Sequence, residues 1–135
     1  IWHRLSLAGE YMMNSLSQVG GPDVDFTGYY VEGAYFLTND HRGYDRKRGV
    51  FDRVRPASPA YASGSGGCGA WQLKARYSFL DLTDANIEGG ELRDITVGAN
   101  WYLTSNMRLM FEAIDADLDG VDNTQILQMR VQVDW

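Results

Sequence analysis

The chain predicts an all-β fold, an antiparallel transmembrane β-barrel fragment of about six meander strands, and three observations carry that expectation. Apolar and polar residues alternate strictly from Leu127 to Trp135, the period of a strand with one oily face and one wet face. Five earlier segments alternate in the same way. At roughly ten to thirteen residues they exceed the usual soluble strand of about 5 to 6 and match the about 9 to 11 that a tilted strand needs to cross a bilayer. Counting hairpins from the carboxyl terminus places Trp2, Trp71, Trp101 and Trp135 at one common end of their strands, the level at which indole rings favour a membrane interface.

The first expected strand runs from about Trp2 to Asn14, with Leu5, Leu7, Tyr11 and Met13 opposite Arg4, Ser6, Ala8 and Glu10. The second runs from Phe26 to Thr38, with Tyr29, Val31, Tyr35 and Leu37 opposite Gly28, Tyr30, Glu32 and Ala34. The third, from Ala70 to Asp81, sets Trp71, Leu73, Ala75, Tyr77 and Phe79 against Gln72, Lys74, Arg76 and Ser78. The fourth covers Leu92 to Thr104, with Ile95, Val97, Ala99, Trp101 and Leu103 on its apolar side. The fifth covers Met107 to Ala116, with Leu109, Phe111 and Ala113 apolar and the register beyond Ile114 undetermined by pattern. The sixth closes the chain from Thr124 to Trp135.

Composition agrees. Hydrophobic residues make up 44% of the 135, too many for a disordered chain, yet mean hydropathy is only -0.33 and no apolar run is long enough for a membrane helix. Barrels fall in this range because half of each strand is polar. A net charge of -6 argues against nucleic acid as a partner. The single Cys68 excludes an internal disulfide framework. A chain that opens at Ile1, with neither initiator Met nor secretory leader, reads as a carboxyl-terminal fragment or processed product.

If Trp135 ends in the periplasm, the short Ser105-Asn106 turn is periplasmic and the stretches Thr83 to Glu91 and Asp117 to Asn123 are extracellular loops. The extracellular set is acidic, with Asp23, Asp25, Asp84, Glu88, Asp117, Asp119 and Asp122. On the periplasmic side, where turns are normally short, residues 39–69 form a long connection instead, which marks it as functional or irregular. It carries Arg42, Arg46, Lys47, Arg48, Arg53 and Arg55, half of the 12 basic residues. The wet face adds Lys74, Arg76, Arg108 and Arg130, offset by Glu10, Glu32, Asp94, Glu112 and Asp134, a mixture that fits cross-strand ion pairs as well as a conduction path.

The closing strand resembles that of bacterial outer-membrane barrels, whose terminal aromatic and the apolar residues before it are read by the barrel-assembly machinery. Met129, Val131, Val133 and Trp135 occupy those places. Four stretches, Tyr44 to Phe51, Gly69 to Leu82, Asn100 to Leu103 and the ending Met129 to Trp135, together resemble in order and spacing the phosphate-selective porin O/P family. That resemblance implies a trimeric barrel of about 16 strands in the bacterial outer membrane, in contact with its lipid, of which this chain is the carboxyl-terminal part. It implies passage of phosphate or polyphosphate past lumen arginines and lysines. Most of the family's anion-binding residues lie upstream and have no counterpart here. By the same resemblance, residues 39–69 are expected to fold into the lumen and constrict it, presenting Arg42, Arg46, Lys47, Arg48, Arg53 and Arg55 to anions, with Lys74, Arg76, Arg108, Glu112 and Arg130 lining the pore. The plainer alternative is a solvated basic loop at the periplasmic rim.

No catalytic constellation or cofactor site emerges. His41 and Cys68 lack an orienting third group, and His3 and His41 are too few and too far apart in sequence for a metal site. Asp115-Ala-Asp117-Leu-Asp119-Gly120 imitates a calcium loop but has Ile126 where a bidentate Glu is needed. Gly64, Gly66 and Gly69 have dinucleotide-fingerprint spacing but precede a strand rather than a helix. Two other functions stay open on the residues alone. One is a general, non-selective porin. The other is a soluble or surface β-domain with a binding or anchoring role, which requires the odd face to pack a core and the Trp rings to be buried.

Overall fold

The computed structural model describes residues 2–61, 66–121 and 123–135. Its strands are β1 (Leu5–Leu16), β2 (Val24–Phe36), the two-residue strands β3 (Tyr44–Asp45) and β4 (Val50–Phe51), β5 (Ala70–Asp84), β6 (Ile87–Tyr102), β7 (Met107–Leu118) and β8 (Thr124–Val133). The six long strands form one open antiparallel sheet in the order β1-β2-β5-β6-β7-β8, while β3 and β4 pair with each other inside the long connection. Every expected strand is present, and the differences lie at the ends.

β1 begins at Leu5 instead of Trp2, because Trp2 and Leu5 exchange backbone hydrogen bonds of 2.7 and 2.8 Å around a tight turn in which His3 adopts a φ of 51°. The expected loop from Thr83 to Glu91 does not exist: β5 and β6 keep pairing through Thr83↔Glu88 and Asp84↔Ile87, past an irregularity between Asp81 and Thr83, to a turn at Ala85-Asn86. Side chains satisfy the backbone there, with Thr83 Oγ1 accepting from Gly90 N at 2.9 Å and the Asp84 carboxylate from Asp25 N at 2.7 Å. β7 keeps its alternation through Leu118, so Ile114 joins the polar face opposite Thr96 and Ile126, and Asp115 and Asp117 leave it. Those two aspartates therefore belong to a strand and not to a calcium-like loop. Asp122 and Gly64 lie outside the described residues.

Register keeps like with like across all six strands. Odd-numbered Val31, Tyr77, Ile95, Leu73, Ala99, Phe111 and Met129 pair with one another, and even-numbered Ala34, Lys74, Gly98, Glu112 and Gln128 form a continuous row on the other face. The odd face carries Leu7, Val31, Leu73, Ile95, Val97, Phe111, Met129 and Val131, all exposed. Burial is concentrated on the even face, at Ser6, Ala34, Phe36, Ala70, Gln72, Asn100, Tyr102 and Met110.

What buries part of the even face is the connection between β2 and β5. Val54 packs with Phe36, Ala70 and Tyr102, all at even positions. Buried Asp40 fastens the start of the segment, accepting from Thr38 Oγ1 at 2.6 Å and from Ala57 N at 2.7 Å. Ala60 N donates to Leu103 O at 2.8 Å, which ties the segment to the residue after β6, and Gly69 N donates to Ser58 O at 2.9 Å within the segment itself. Gly69 has a φ of 71°, and a Cβ there would lie 2.5 Å from Tyr102 O, so the chain enters β5 at a position that only glycine fills without strain.

Candidate pore-lining site

Three rows of even-face residues build the site. One runs Ala70, Tyr102, Arg108, Gln132; the next Phe36, Gln72, Asn100, Met110, Arg130; the third Ala34, Lys74, Gly98, Glu112, Gln128. Above them Arg42 arrives from the connecting segment. Together Arg42, Lys74, Arg108 and Arg130, with Glu32, Glu112, Gln72 and Asn100, line a cavity of about 280 Å³.

Within that cavity Arg42, Arg108, Lys74 and Glu112 each have a defined companion. Arg42 stacks its guanidinium over Phe51 of β4 at 4.0 Å, a cation–π contact that fixes its direction of approach. Arg108 donates from Nε and Nη2 to Gln132 Oε1 at 3.0 and 2.7 Å. Lys74 pairs with Glu112, and Gln128 Nε2 donates to the same carboxylate. On the floor, Asn100 Nδ2 at 2.9 Å and the Tyr102 hydroxyl at 3.1 Å both donate to Gln72 Oε1. Among the described residues Gln72 Nε2 and Asn100 Oδ1 have no protein hydrogen-bond partner.

Of the six basic residues singled out between 39 and 69, only Arg42 reaches this cavity. Arg46, Lys47 and Arg48 form the exposed tip between β3 and β4, where Lys47 N and Arg48 N donate to Asp45 Oδ1 and Arg48 Nε lies 3.7 Å from Asp45 Oδ2. Arg53 and Arg55 border a separate cavity beside Asp40, His41 and Asp52, and Arg53 also borders a smaller one with Arg42 and Arg108. Arg76, one row further along the even face, lies over the Tyr30 ring at 4.1 Å. Met129, Val131 and Val133 belong to the exposed odd face, and Trp135 follows the end of β8.

Pattern reading missed Gln72, Asn100, Tyr102 and Gly98 as parts of the site. An isolated glycine inside a strand signals a close approach, and at Gly98 a Cβ would lie 2.6 Å from Phe111 O. His3 and His41, distant in sequence, are neighbours in space, with ring centroids 6.4 Å apart. Among the described residues no group of three or more His, Cys, Asp or Glu is arranged to hold a metal ion.

At the lower edge of the odd face Trp71 and Trp101 are cross-strand partners, stacked at 5.0 Å with planes 14° apart. Trp101 Nε1 donates to Cys68 O at 2.8 Å, so this indole is satisfied by the chain itself. A bare apolar face edged by stacked indoles, backed by a polar face with charged side chains, is the wall of an outer-membrane β-barrel. Its sequence matches, over residues 1–135, the family described as phosphate-selective porin O and P, and the chain belongs to that family of outer-membrane porins. An uncharacterized protein of Caulobacter vibrioides is 42% identical over 107 residues, which cover 79% of this chain and 20% of that protein. Porin O of Pseudomonas aeruginosa is 27% identical over 110 residues, 75% of this chain and 24% of the porin. The chain thus spans less than a quarter of the length of either relative.

Proposed function

We propose that this chain supplies part of the wall and part of the constriction of a passive channel for small anions, with phosphate or polyphosphate as the solute. The observation that carries the reading is the convergence of Arg42, from the connecting segment, on Lys74, Arg108 and Arg130 of the wall. A small anion entering a narrow pore sheds water that donors must replace, and a guanidinium offers a fork of N–H groups matched to phosphate oxygens. Several cations in sequence allow the anion to be handed on without a deep trap. Segment 39–69 narrows the pore in this scheme, and its working cation is Arg42 in place of the exposed run Arg46 to Arg48.

The reversal potential of the complete channel in a planar bilayer under a KCl gradient tests this. A chloride-favouring potential that collapses in Arg42→Gln and persists when Arg46, Lys47 and Arg48 are all changed to Gln is the expected result. Conductance that shows no anion preference, or that ignores Arg42→Gln, supports a general porin instead. Glu32 and Glu112 in the same cavity are the observation that favours this second reading, since two carboxylates dilute the field of four cations.

A further inference from the structure

We infer that Glu112 is the resident counter-anion of Lys74: its carboxylate holds the lysine while no solute is bound, yields it to a passing oxyanion, and thereby sets how tightly and how long the anion is held. The inference rests on the anion-channel reading above and assigns a specificity-setting role to a residue of the opposite charge.

The geometry of the pair is unusual for a brace between neighbouring strands. Lys74 is on β5 and Glu112 on β7, and β6 runs between them with Gly98 at the intervening position of the row. A Cβ at 98 would lie 3.2 Å from Lys74 Cε and 3.1 Å from Glu112 Cγ. The missing side chain therefore provides the space in which the two ends meet. Both side chains are mostly covered, 20% and 18% exposed, yet both line the cavity that Arg42, Arg108 and Arg130 also border. An oxyanion drawn in by those guanidinium groups arrives beside the pair.

Exchange avoids the main cost of using a covered lysine. A half-buried ammonium with no partner is expensive, as is a half-buried carboxylate. Here the lysine passes from one set of anionic oxygens to another without a bare interval, because its flexible stem and three N–H donors follow the new acceptor. The carboxylate left behind keeps the Gln128 amide as donor. Competition from Glu112 makes the anion's well shallower and its exit faster, which a conducting channel needs.

Single-channel recording of the complete channel in KCl, with inorganic phosphate as the probe, reads both quantities. Glu112→Gln keeps the shape and removes the charge. It is expected to lower the phosphate concentration that half-blocks chloride current about fivefold, a shift of the size one partly covered charge produces, and to lengthen each block. Lys74→Gln combined with Glu112→Gln is expected to lose that gain. Gln128→Leu, which removes the donor that steadies the freed carboxylate, is expected to weaken the block, and it provides a readout should Glu112→Gln fold poorly. If the wild type is blocked by phosphate but neither Glu112→Gln nor Gln128→Leu changes block or dwell time, Glu112 is only a brace and the inference falls while the channel reading stands. If the wild type shows neither phosphate block nor anion preference, the anion reading falls and takes this inference with it.

Discussion

On one face of the sheet Leu7, Val31, Leu73, Val97, Phe111 and Met129 are large, apolar and exposed, whereas on the other Gln72 and Asn100 are polar and buried beside Ala34 and Tyr102. A water-soluble β-domain has the opposite arrangement, with its oily face packed and its polar face wet. The difference teaches that burial and hydrophobicity have been uncoupled. Hydrocarbon is the solvent of the odd face, which needs no protein cover, while the even face is covered at Phe36, Ala70 and Tyr102 by Val54 of the connecting segment. Packing in this molecule therefore serves to shape a polar cavity, and the apolar surface is left for lipid.

The sharpest way to break that comparison is to exchange the solvents. Val97→Arg, in the apolar stretch of β6, is expected to cost about 2–4 kcal/mol in denaturant titrations of folding into lipid vesicles, the penalty for a cation facing the bilayer interior. Thr96→Arg, one residue away on the other face, is expected to cost only about 0.2–1 kcal/mol, which arises from the like charge of Arg76 directly across the strand pair. Equal costs at the two positions would erase the distinction between the faces.

Gly98→Ala probes the even face alone. The added methyl would meet Phe111 O at 2.6 Å as well as the Lys74 and Glu112 side chains, so a loss of about 1–3 kcal/mol in the same titration is expected. Val54→Ala tests what holds the connecting segment to the wall. Removing about two methylene equivalents from its contact with Phe36, Ala70 and Tyr102 weakens docking by about 1.5 kcal/mol, and trypsin cleavage near Arg46, Lys47 and Arg48 should accelerate roughly tenfold. Trp101→Phe keeps the ring stack and deletes the hydrogen bond to Cys68 O, for an expected loss of about 0.5–1.5 kcal/mol.

The strands were legible because alternation is a property of neighbours along the chain, and the chain order of the sheet follows from short antiparallel connections everywhere except at the long crossing from β2 to β5. Their ends were less so. Thr83 to Glu91 reads as a polar loop, yet its hydroxyl and carboxylates satisfy backbone groups within a continuing hairpin. The site was legible only by parity, which assigned Lys74, Arg108, Glu112 and Arg130 to the wet face. Which basic residue of 39–69 reaches the wall was not, since the path of an irregular segment depends on long-range contacts such as Val54 on Tyr102 and Arg42 on Phe51. The densest charge run turned out to cap its own hairpin through Asp45. The Lys74–Glu112 pair spans three strands and becomes visible only once Gly98 is seen to lie between them.

The most direct test of the two-face account is a cysteine-accessibility scan along β5 in the complete channel, with Cys68 changed to Ser and single cysteines placed at positions 73 to 78. A charged thiol reagent that cannot enter lipid should modify positions 74, 76 and 78 and leave 73, 75 and 77 unreacted. Similar reaction at all six positions, or reaction confined to the odd ones, would contradict it.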